Sequence, residues 1–243
     1  MQRRGRRDSE ARRPAADPAG SLKRDGLYRR LLLDIITGEH RPGGQLDEVA
    51  LTYHYRAGRA AVRDALFRLD LEGLVHRRPR VGTTVADLNP LELQQVFEAR
   101  LIIEVQCAGF AARLASAEEL ATIRGAFDGV ERVIAARDFK TLIRMDQQFH
   151  QAIAKGAHNR YLVNAVTMLH NSTLRYSYFA LQRRTAERMR AAIDQHFRAC
   201  AALERRDPAA AEREVRKVVV ISSDIVNEII GRVPASDGSS GIL

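Results

Sequence analysis

From Asn89-Pro90 to about residue 231 the apolar residues recur at three- and four-residue intervals and never in strict alternation. Such a segment buries its apolar surface only as helices packed on helices. Asn is a good helix cap and Pro is tolerated in a first turn, so a helix starts at this pair. Ser116 with Glu119 has the spacing of a capping box, and Asp138, the turn Gly156 to Asn159, and Asp207-Pro208 mark further breaks. The pattern predicts helices over 90–114, 117–136, 139–156, 160–182, 186–206 and 208–231, hence an antiparallel six-helix bundle.

The preceding stretch follows a different rule. Leu27, Leu31 and Ile35, with Leu32 and Ile36, make a first helix that stops at Gly38. After the turn Arg41-Pro42-Gly43-Gly44, Asp47 caps a short helix to about His54, and a break from Tyr55 to Gly58 precedes a longer helix from Arg59 to Leu71. Gly73 ends it. Val75–Arg77 and Thr83–Val85 read as two short strands joined by a tip at Arg78-Pro79-Arg80-Val81-Gly82. That order is a winged helix-turn-helix, so the fold class is mainly α, with the winged domain at 21–87 and the bundle at 88–232. A TetR-like regulator would lack the hairpin.

Charge narrows the partner. Lys and Arg total 39 against 30 Asp and Glu, a net +9 that suits a polyanion. Residues 1–20 carry six arginines but no apolar stretch behind them, so they read as a flexible basic tail, not a secretory signal; the Ser/Gly-rich end, 233–243, reads as a second tail. No run approaches the roughly 18 apolar residues a membrane span needs. With two distant cysteines, Cys107 and Cys200, in helical patterns, the expected setting is a reducing cytoplasm.

Between Arg56 and Arg80 seven arginines face three acids. Arg59 and Arg63 stand on one face near the start of the second helix of the motif, the end that enters a major groove, where an arginine fork matches guanine O6 and N7. Arg80 at the hairpin tip suits a minor groove or phosphates, and Arg77 or Arg78 a backbone contact.

In the bundle, Leu142, Asp146, Phe149 and Ile153 share a stripe, with His150 one turn beyond Asp146. Carboxylate and imidazole at this spacing grip one cation from one side. Met189, Ile193, His196, Phe197, Cys200 and Leu203 carry His196 inward, and Val96, Arg100, Ile103, Cys107 and Phe110 do the same for Arg100. A single inward histidine is usually a satisfied core residue, and Arg100 has a ready partner in a buried Glu. Four convergent polar groups from three helices instead describe a polar cavity, with a divalent metal (Zn, Ni or Mn) on Asp146, His150 and His196 and an anionic small molecule bound by Arg100, His150 and His196. His54, His158 and His170 lack that convergence and receive no role.

These residues resemble the GntR family of bacterial transcription regulators, in the FadR-like subgroup with the helical FCD ligand-binding domain. In the first domain the resemblance rests on Leu33-Asp34-Ile35-Ile36-Thr37-Gly38 with Pro42-Gly43, Arg59-Ala60-Ala61-Val62-Arg63-Asp64-Ala65-Leu66, Glu72-Gly73-Leu74-Val75 and Gly82-Thr83-Thr84-Val85. In the second it rests on Arg100 with Glu104, Asp146-Gln147-Gln148-Phe149-His150, Asn159 and His196. Gly58 replaces the family's usual Ser or Thr and Ala61 its frequent Pro, and Val218 stands where the last metal-binding His is expected, leaving the site one ligand short. The resemblance implies a homodimeric, ligand-responsive regulator, a repressor by expectation, on a near-palindromic operator, answering to a small carboxylate metabolite. The alternative, a metal-dependent helical-bundle enzyme with a basic appendage, lacks paired Glu-x-x-His motifs, a phosphate loop and a nucleophile setting, so no enzymatic activity is expected.

Overall fold

The computed structural model describes residues 18–230. The expected basic tail lies outside them apart from its last three positions, which open the first helix, and the expected C-terminal tail lies outside them entirely. The order is α1 (Pro18–Ile36), α2 (Glu48–Tyr55), α3 (Arg59–Leu71), β1 (Val75–Arg78), β2 (Gly82–Val85), α4 (Pro90–Leu114), α5 (Ala117–Gly125), α6 (Val130–Ala135), α7 (Phe139–Gly156), α8 (Arg160–Leu181), α9 (Ala186–Glu204) and α10 (Pro208–Ile230).

In the N-terminal domain, Leu31, Ile35, Leu66, Leu69 and Leu74 are wholly buried and clamp α1 onto α3, each contributing roughly 1.5–3 kcal/mol. Arg41-Pro42-Gly43-Gly44 forms a tight turn: Gly44 N–H donates to Arg41 O at 2.9 Å, and Gly43 takes φ +70° at the position that needs it. The turn feeds Gln45 and Leu46 against β2, which pairs antiparallel with β1 in the register Val75 to Val85 and Arg78 to Gly82. The wing is therefore buttressed from both sides.

The bundle has seven helices among the described residues, one more than the sequence predicts. The expected helix 117–136 is broken: Gly129 adopts φ +76° at the N-cap of α6, separating it from α5. The other predicted starts hold, with Asn89, Ser116, Asp138 and Asn159 each accepting backbone N–H bonds at their caps. Ser116 and Glu119 complete the capping box. Arg100 faces inward as expected, but Phe110, placed on the same stripe, is 38% exposed; Phe97, Glu104, Ala108 and Ala111 are buried beside Arg100 instead.

The two domains are joined by packing as well as by chain. Ile143 of α7 and Leu174 of α8 belong to the apolar core of the winged domain. Arg175 Nη1 donates to Ala86 O, and Tyr176 Oη donates to Asn89 O at 3.3 Å, so α8 also holds the linker.

Candidate functional site

The DNA-reading face is built by short-range rules. Asp47 caps α2 by accepting from Ala50 N–H at 2.7 Å, and Arg56 at φ 51° ends it, turning the chain into α3. Gly58 caps α3 without any side-chain bond. Arg59, Arg63, Arg77, Arg78 and Arg80 are all exposed. Arg63 Nε donates to Glu48 Oε2 at 2.7 Å, which holds its guanidinium against α2. Val81 N–H closes on Arg78 O at 3.2 Å, with Pro79 and Arg80 as the central pair, and Arg80 has φ 64°. A glycine is usual there; an arginine held in that region concentrates strain and charge at the wing tip.

The inward polar groups of the bundle converge. Asp146 is half-buried, while Arg100, Glu104, His150, His170 and His196 are all buried. Arg100 Nε donates to Glu104 Oε1 at 2.5 Å, and its Nη1 to Thr173 Oγ1 at 3.0 Å. His150 Nδ1 contacts Glu104 Oε2. Burial opposes ionisation of Glu104, but the charges of Arg100 and His150 and their hydrogen bonds prevail and hold its pKa well below the ordinary carboxylate range. Beside an ionised carboxylate, His150 Nδ1 carries the proton.

His196 obeys the same logic, since its Nδ1 lies 2.8 Å from Ala192 O, a carbonyl that can only accept. In either ring a single proton on Nδ1 leaves the Nε2 lone pair facing Asp146. The Nε2 of His196 lies 3.1 Å from Asp146 Oδ1, and that of His150 lies 3.8 Å away, buried and with no hydrogen-bond partner. Burial also opposes ionisation of Asp146, yet its contacts with His170 and His196 and the charge of His150 hold it well below the usual range. Two lone pairs and a carboxylate aimed at one point repel unless a proton or a cation stands between them. The donor set fits a divalent cation, with Glu104 and Ala192 O as the outer acceptors that fix both tautomers.

Of the residues singled out from the sequence, Asp146, His150 and His196 come together. Arg100 lies behind them, its charge engaged by Glu104. Val218 is buried among apolar side chains. His170, expected to lack this convergence, stands in the same cluster. Its Nε2 lies 3.0 Å from Asp146 Oδ2, and Asp146, His150 and His170 each offer an atom within 4.8 Å of the others. Burial, then the nearby Arg100 charge, pushes its pKa down to about 4, so the ring is neutral. The signal lay in reflection: α7 and α8 form a hairpin about the turn at 156–159, which carries Asp146 onto His170, 24 residues away. His54 packs edge-on to Tyr55 and His158 pairs with Glu119 at the surface, both outside the cluster.

Beside Asp146 and His196 lies a cavity of about 60 Å³, walled by Leu142, Leu181, Met189 and Ile193, with Ser177, Arg184 and Ser222 as further polar lining. On the other side of α8, Asn171 Nδ2 donates to Glu72 Oε2 at 2.9 Å and to Tyr28 Oη at 3.1 Å, while Gln147 Nε2 donates to Asn171 Oδ1 at 2.6 Å. Glu72 is the C-cap of α3. Neighbours of the cluster, Gln147 beside Asp146 and Asn171 beside His170, thus reach the end of the DNA-reading helix.

Residues 23–85 match the gntR family of bacterial regulatory proteins, and residues 95–220 match the FCD domain. The chain belongs to the GntR family. GntR membership with an FCD domain accounts for both halves of the fold. Among curated relatives, the HTH-type transcriptional repressor GlaR of Escherichia coli (strain K12) is 30% identical over 213 residues, covering 83% of this chain and 94% of GlaR. An uncharacterized HTH-type transcriptional regulator, YdhC of Bacillus subtilis (strain 168), is 26% identical over 139 residues, 57% of this chain; that match spans 62% of YdhC's length. In fold the chain resembles E. coli McbR/YncC, with a TM-score of 0.76 at 17% identity, covering 86% of this chain and 98% of that one. This GntR protein is a DNA-binding transcription regulator, and its relatives are regulators, not enzymes. No helix among the described residues is long and apolar enough to cross a membrane.

Proposed function

We propose that this GntR protein is a homodimeric, ligand-responsive repressor whose FCD domain holds a divalent cation (Zn, Ni or Mn) on Asp146, His150 and His196 and takes a small carboxylate effector. The observation that carries the reading is the convergence of the His150 and His196 Nε2 atoms on Asp146, with an acceptor behind each Nδ1. A cation there supplies charge neutralisation and an attachment point for an anion. The adjoining cavity suits an effector with a short apolar body, and Arg184 in its wall suits the carboxylate. Arg100, read from the sequence as the anion anchor, acts here through Glu104, fixing the His150 tautomer.

Arg59 and Arg63 read bases, Arg80 sets the wing, and Arg77 and Arg78 grip phosphates of a near-palindromic operator. Dimerisation is supported by Leu91, Ile102, Phe110 and Leu114, all exposed along α4. Effector control follows if bound and unbound sites favour different settings of α8, whose other face holds Glu72 and Tyr28. The test is metal content by mass spectrometry of purified protein and of His150→Ala and His196→Ala. About one ion per chain, lost in both variants, supports the reading. Wild-type protein that takes up no ion after dialysis against zinc, nickel and manganese overturns it.

A further inference from the structure

Resting on that cation site, we propose that His170 of α8 is a further ligand of the same ion, so that this chain draws from α8 the donor that Val218 cannot provide on α10. Val218 is an apolar side chain, 1% exposed. His170 is equally buried, its ring centroid lies 4.6 Å from that of His150, and its Nε2 lies 3.0 Å from Asp146 Oδ2. With Asp146 and His150 it forms a group whose ligand-type atoms all lie within 4.8 Å of one another.

The ring makes poor sense as filler. Its Nδ1 has no hydrogen-bond partner, and the buried Nη2 of Arg100 is likewise unpartnered. Two buried unpaired groups are a cost that an apolar residue at 170 would avoid. Coordination through Nε2, already 3.0 Å from Asp146 Oδ2, gives the buried ring a task that an apolar residue could not perform. No proton need leave the molecule, since the ring can carry its single proton on Nδ1 in place of Nε2.

Position gives the substitution a consequence. A ligand on α10 fastens the ion to a helix that packs on α4, α8 and α9. A ligand at 170 fastens it to the helix whose next residue, Asn171, binds Tyr28 and Glu72 of the winged domain. The ion then pulls directly on the helix that seats the DNA-reading domain.

The rival arrangement leaves His170 outside the coordination shell, donating only to Asp146. Proton NMR of the full-length protein loaded with Co(II) separates the two, because each coordinated imidazole N–H gives one strongly shifted resonance that is lost on exchange into D2O. The proposal expects three such resonances in the wild type, from His150, His170 and His196. It expects two in His170→Ala with Co(II) affinity at least about tenfold weaker, and a return to three in His170→Ala/Val218→His. Two resonances in the wild type, unchanged in His170→Ala, would place His170 outside the shell and overturn the proposal while leaving the cation site standing. No Co(II) uptake by the wild type would overturn the underlying cation reading and this proposal together. The wild-type count decides even if the variants do not fold.

Discussion

Replacing Asn171 with leucine removes the hub between the two domains at nearly constant volume. Three hydrogen bonds disappear: one of 2.9 Å to the Glu72 carboxylate, one of 3.1 Å to Tyr28 Oη, and one of 2.6 Å from Gln147. Bonds to a charged group contribute about 1.5–3 kcal/mol and neutral ones about 0.5–1.5 kcal/mol, a sum of roughly 2.5–6 kcal/mol. Tyr28 keeps its own contacts to both Glu72 oxygens, at 2.6 and 2.7 Å, so part of the network survives. A net loss of about 3 kcal/mol follows, which in a chain of this size lowers Tm by roughly 6–12 °C. Because the lost bonds span the domains, calorimetry should also show the single transition splitting, with the winged domain melting first. A variant that melts in one transition within about 1 °C of the wild type would refute the view that Asn171 joins the two halves.

Two further outcomes follow from the DNA-reading face. Arg63→Ala should cost about 1–3 kcal/mol of operator binding and relax base preference, with cation binding unchanged; equal loss of both, followed by anisotropy and calorimetry, would show misfolding instead. Gly58 has φ −71° and open space where a side chain would stand, so Gly58→Ser should supply the missing cap of α3 and a hydroxyl for a phosphate. Stability should rise by a few tenths of a kcal/mol and operator affinity with it; weaker DNA binding at unchanged stability would contradict the placement of this turn.

Much of the fold was legible because it is written in local chemistry. Asp47, Asn89, Ser116 with Glu119, Asp138 and Asn159 sit where short polar side chains meet apolar periodicity, and each caps a helix. The α5/α6 break was hidden by that same periodicity: Ile123, Phe127, Val130 and Ile134 are all buried at helical spacing although the chain turns at Gly129. Asp146, His150 and His196 were readable from their stripes, since an inward direction is a property of one helix. His170 was not, because its direction has meaning only once α8 is laid against α7. The Arg63–Glu48 pair and the links from Asn171 to Tyr28 and Glu72 join distant parts of the chain, which no periodicity encodes.

The central claim, that occupancy of the buried site sets the grip on DNA, is tested most directly by operator affinity with and without the ion. An operator is first selected from a random duplex pool, and fluorescence anisotropy then compares chelator-stripped protein with protein reloaded with zinc, nickel or manganese, beside His150→Ala. The account predicts a change of at least about fivefold in the wild type and none in the variant. An ion that binds the wild type yet leaves its operator affinity within about twofold would contradict it.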